Sequence, residues 1–217
     1  MPRPGSPPAV PAALLAVVLL AAAAHAQPVA PPSDVETLTA STSRLSAALR
    51  ADQDAHLWRV GAWGLANAVG GAVWVLASSR TEDPGRWAFG VQSGAWGVVN
   101  VGIAAVGLAG GGDVTSDWAT AVAAENGYAD VLLVNLGLNV GYAAVGATLL
   151  AVAGRGVSDP AAWRGHGTAL VVQGLGLLVL DGVAYLGTRA RLGALVDLAG
   201  RADLAVTPLG AALAVSL

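Results

Sequence analysis

The chain has 217 residues, 55% hydrophobic and 12% charged, with 29 glycines and a formal net charge of -3. Its mean hydropathy of +0.62 points to a polytopic membrane protein rather than a soluble globule. The charge is small and scattered, so there is no basic stripe for nucleic acid. The lack of cysteine excludes disulfides, thiolate metal sites and cysteine nucleophiles.

Residues 1–26 read as a signal peptide. Arg3 supplies a positive start, residues 12–24 a short apolar core, and Ala24-His25-Ala26 an A-x-A cleavage site. The apolar run falls short of the ~20 residues that a spanning helix needs. Residues 27–32 are a Pro-rich linker, and Ser33-Asp34-Val35-Glu36 has the form of a capping box. Behind it Val35, Leu38, Leu45 and Leu49 keep a rough helical stripe. This predicts an amphipathic helix over 33–52, lying at the interface or docked on the bundle. A solvated helical stalk is the competing reading.

Four spanning segments are predicted, near 57–79, 87–109, 128–152 and 167–188, each long enough for a ~30 Å hydrocarbon core. They make up an antiparallel four-helix transmembrane domain over 56–190. Loop charge predicts its orientation. The first loop carries Arg80 and Arg86 and the third Arg155 and Arg164, whereas the middle loop holds Asp113, Asp117 and Glu125 with no cation. The positive-inside rule puts the first and third loops in the cytoplasm of a bacterial inner membrane, with the N-terminus outside. Arginines 44, 50, 59, 189, 191 and 201 would lie outside and dilute that rule. The tail 191–217, with Pro208 and Gly210, reads either as a short C-terminal β-hairpin or as a loose apolar tail.

The spans carry amides. Trp63-Gly-Leu-Ala-Asn67 is repeated 33 positions later as Trp96-Gly-Val-Val-Asn100. This suggests a pseudo-symmetric hairpin whose amides face each other. The third span offers Asn135, Asn139 and Tyr142 on one face, and the fourth Gln173, Asp181 and Tyr185. Depth estimates gather Asn67, Asn100, Asn135, Asn139 and Asp181 into one layer slightly outside the bilayer centre. Two readings of this layer compete. The first is helix–helix glue, at ~0.6 kcal/mol per bond. The second is a polar cavity around Asp181, an intramembrane carboxylate and thus a functional-site candidate. Gly90/Gly94 and Gly137/Gly141 match the close-approach spacing of small residues. Trp63 and Trp96 are expected in the core, where each indole N–H needs an acceptor.

Other chemistries find little support. His56 and His166 are read as interfacial residues at opposite ends of the bundle, ~30 Å apart, so they cannot share a haem. No metal or cofactor site is expected, and no nucleophile–base pair suggests an enzyme. The WGLAN and WGVVNVGIA segments, with NLGLNVGYAAVG and GHGTALVVQGLGLLVLDGVAYLG, resemble an uncharacterised family of small bacterial membrane proteins, a domain of unknown function. The resemblance covers roughly 40–190 and implies the architecture but no activity. The expected protein is therefore a structural or interaction component of the inner membrane. Its partners would be the lipid bilayer and either a second copy or another membrane protein. The alternative is a small transporter or channel-like protein.

Overall fold

The computed structural model describes residues 38–205, with side chains up to 200. The signal segment, the linker, the capping box and the tail beyond 205 lie outside the described residues. Within them the fold is all-helical: α1 Leu38–Leu76, α2 Pro84–Ala109, α3 Trp118–Val152 and α4 Pro160–Ala205. The helices are longer than the sequence reading allowed. The amphipathic segment and the first span are one continuous helix, and the predicted tail begins as an extension of α4. The first residues of the expected hairpin, 202–205, are helical, and its remainder lies outside the described residues.

The helix starts follow from local chemistry. Asp83 accepts from Arg86 N–H ahead of Pro84, whose ring fixes φ and whose missing N–H costs nothing in a first turn. Asp117 accepts from the backbone N–H and the hydroxyl of Thr120 at 2.8 and 2.7 Å, so α3 starts at Trp118, ten residues before the predicted span.

Two antiparallel hairpins, α1–α2 and α3–α4, meet mainly where α4 packs on α2 and, to a lesser extent, on α1. Glycine makes both hairpins close. A Cβ on Gly64 would stand 2.8 Å from the Gly97 carbonyl oxygen, and one on Gly146 2.6 Å from that of Gly167. Gly71 similarly abuts the Gly94 backbone. Gly137 and Gly141, by contrast, have nothing within 4 Å of an added Cβ, so the second small-residue pair lies on an open face of α3 rather than inside the bundle.

The two ends differ. At one end Gly85 lies against Ala161, so α2 and α4 start level with each other. There Arg80 stacks over Trp87 and Arg86 over Trp74, at 5.3 and 5.7 Å. At the other end α2 stops at Ala109 while its neighbours continue. From the level where Leu57 meets Gly107, α1 rises about 27 Å further, at 1.5 Å per residue, beside α3 and α4 but without α2. In place of α2 an extended loop climbs α1, with Gly111 against Arg50 and Thr115 N–H donating to Ser46 Oγ at 3.0 Å. The gap beneath holds a cavity of about 340 Å³, lined in part by Leu49, Arg50, Gln53, Asp113 and Tyr128. Here α1 buries Ser41, Thr42, Ser46 and Leu49, while Leu38 is 38% exposed. The docked face thus keeps Leu49 and, half-buried, Leu45 from the stripe read in the sequence, and is otherwise small and polar.

Candidate functional site

A polar axis runs along one face of α4. His166, Gln173, Asp181, Thr188 and Arg191 fall within one stripe at helical spacing, and all but His166 are buried. Each meets groups from other helices, in four tiers.

At the level end His166 Nδ1 lies 3.1 Å from Gln92 Oε1. One tier on, Gln173 Oε1 accepts from Trp63 Nε1 at 2.9 Å and from Asn100 Nδ2 at 3.5 Å. Gln173 is 1% exposed and its Nε2 has no partner. In the third tier, about 12 Å further along α4, Asp181 Oδ2 accepts from Asn139 Nδ2 at 2.7 Å and Oδ1 lies 3.1 Å from His56 Nε2. In the last tier Arg191 Nε donates to Glu125 Oε1 at 2.6 Å, and its Nη1 meets Asp52. The Thr188 hydroxyl also donates to Glu125. Glu125 and Arg191 are 1% and 3% exposed. A carboxylate that deep is tolerable only when paired and hydrogen-bonded.

The predicted layer is therefore two tiers. Asn100 and Gln173 form one, and Asn139 and Asp181 the other. Asn67 is buried but donates to its own helix at Trp63 O, 2.8 Å away, while Asn100 donates to Gln173, so the two repeated amides are not hydrogen-bonded to each other. Asn135 is half-buried and joins neither tier. Trp63 fills the core with Val60, Leu177 and Leu180, as expected, and finds its acceptor. Trp96 is half-buried and packs on Tyr142 at 4.6 Å between ring centroids.

Three functional candidates escaped the sequence reading. His56, read only as an interfacial residue, is 5% exposed and paired with Asp181. Glu125 is not a loop residue but lies inside α3. Arg191 is neither in a tail nor in solvent. One signal could have found it: Arg191 continues the Gln173–Asp181–Thr188 stripe at helical spacing. Among the described residues, no group of three or more His, Asp and Glu is placed to hold a metal ion.

The described residues are thus all-helical, and three of their helices are long and apolar enough to cross a membrane: α2, α3 and residues 160–200 of α4. The model of a family of unknown function, DUF6992, matches residues 59–182, more than half of the chain, and the chain belongs to that family. No curated protein and no solved structure matches it. The matched segment ends beside Asp181; His56 and Arg191 fall outside it.

Proposed function

We propose that the chain is a four-span protein of the bacterial inner membrane with a structural or interaction role and no enzymatic activity, its buried polar groups clamping thin helices together. The observation that carries this reading is that the intramembrane polar side chains bond to one another across helices: Trp63 and Asn100 to Gln173, and Asn139 to Asp181. In hydrocarbon such groups have no water to turn to. α1 serves as the fourth span despite its glycines, Asn67 and Arg59, because it runs close along α2 and presents Leu65, Val69, Val73 and Leu76 outward. The arginine–tryptophan stacks at the level end fit a cytoplasmic interface. The N-terminus then lies outside, where Arg191 and Arg50 are paired with acids.

The test is thermal unfolding in detergent. Asp181→Leu and Asn100→Leu should each lower the melting temperature, and Asp181→Asn should leave both the melting temperature and any cellular phenotype unchanged. A stable, inserted Asp181→Asn protein with a lost phenotype overturns the purely structural role. It would favour the second reading, a small transporter or channel-like protein. That reading has its own support in the buried polar atoms left without partners along the axis: Ser93 Oγ, Gln173 Nε2, His56 Nδ1 and Tyr128 OH.

A further inference from the structure

The third tier differs from the fourth in the source of its positive charge. Arg191 is a permanent cation shared by Glu125 and Asp52. Asp181, 4% exposed, has no such partner. Its neighbours are the neutral amide of Asn139 and the imidazole of His56. A proton on the His56–Asp181 pair would cancel the carboxylate charge, and it would be shared by the pair rather than held by either residue.

Two further observations bear on its exchange. His56 Nδ1 is buried without a partner, so a proton leaving that nitrogen breaks no protein hydrogen bond, while Nε2–H keeps its contact with Asp181 Oδ1. Tyr128 sits edge-on to His56 at 6.4 Å between centroids, lines the 340 Å³ cavity beneath the climbing loop, and carries a buried hydroxyl without a partner.

We propose that His56–Asp181 is a proton-binding site that exchanges with the aqueous phase at the end of the bundle where α2 stops, through the cavity beside Tyr128. His56 itself does not line the cavity, so in release a water entering from the cavity past Tyr128 takes the Nδ1 proton. This leaves a neutral imidazole whose Nε2–H still donates to the Asp181 carboxylate, and the pair falls from net zero to one negative charge. Uptake is the reverse. Charged groups near Tyr128 and the pair are Asp52 from α1, Glu125 from α3 and Arg191 from α4, with Arg50 of α1 on the cavity wall; Arg59 and Tyr185 lie one helical turn from His56 and Asp181 along α1 and α4. The ionisable residue of α2 is Arg86, at the opposite end, and the loop contributes Asp113 to the cavity wall. The proposal rests on the four-span reading and extends the transporter-like alternative.

The experiment is nitrogen NMR of the full chain, labelled at histidine, in phospholipid vesicles with the pH set separately inside and outside. A single cysteine from Ser116→Cys reports insertion and orientation by membrane-impermeant labelling, and His56→Gln assigns the signal. The His56 imidazole signal should follow the pH of the compartment that labels the Ser116→Cys cysteine and ignore the other. In Asp181→Asn, its dependence on that pH should shift by more than tenfold in proton concentration. A signal that tracks the opposite compartment, tracks neither, or is unmoved by Asp181→Asn overturns the proposal. The compartment comparison needs no change to the pair, so it decides even if that variant fails to fold. Failure of the cysteine to label from one side alone would instead sink the four-span reading.

Discussion

Arg191 is the side chain the bundle can least lose. Its guanidinium is the permanent cation beside Glu125, and both are almost fully buried. Arg191→Leu leaves a buried carboxylate with only the Thr188 hydroxyl, so it should cost about 3–5 kcal/mol of stability. Denaturation in detergent would show it. Adding Glu125→Gln to that variant should recover much of the loss, because the second change removes the stranded charge. Asn67→Ala should cost far less, since its amide serves only its own helix at Trp63 O. The contrast marks what could be read from residues alone. An amide or acid inside an apolar run announces itself, as Asn100, Asn139, Gln173 and Asp181 did. His56, Glu125 and Arg191 did not, because each lies at or beyond the edge of a hydrophobic window. Hydropathy reports the surroundings along the chain, and their burial comes from other helices.

At the scale of elements, the helices were legible but their ends were not. Apolar runs mark where a helix meets oil, yet α1, α3 and α4 continue well past them in alanine-rich, polar stretches. The Asp117 cap is one missed end. Its carboxyl is held below the ordinary value of 3.8 by the Thr120 hydroxyl, then by the Thr120 backbone N–H. A lowered folded-state value means that the cap stabilises α3 above the ordinary carboxylate range and loses that contribution as pH falls through the lower value. Protection of the first-turn amides of α3, measured against their intrinsic exchange rate at each pH, should therefore fall in acid. Asp117→Ala should show the lower protection already at neutral pH. The glycines make a second prediction. Gly64→Val and Gly71→Val push α1 off α2 and should prevent stable folding, whereas Gly137→Val and Gly141→Val meet open space and should be tolerated in the monomer. Thermal melts of the four variants would separate them. Sequence spacing alone could not, since Gly90/Gly94 and Gly137/Gly141 show the same pattern and only the first is used inside the bundle.

For the whole molecule, an antiparallel bundle with its first two spans paired as a hairpin was foreseen, but the unequal heights of the helices were not. That asymmetry yields the topology prediction. In cells, a cysteine from Thr81→Cys or Ser158→Cys should resist an impermeant thiol reagent added from outside, and one from Ser116→Cys should react. The chain has no native cysteine to confuse the result. Labelling at Thr81→Cys but not at Ser116→Cys would invert the orientation.

The early stop of α2 has one more consequence. A bundle whose four helices ended together would offer a visitor a flat cap. This one raises a three-legged mast with a notch in its side, and the wall of the notch includes Tyr128, whose ring stands edge-on to His56 of the histidine–aspartate pair. On the proposed four-span reading, the top of the mast stands roughly 27 Å beyond the level where α2 stops, so a contact made there would leave the notch open.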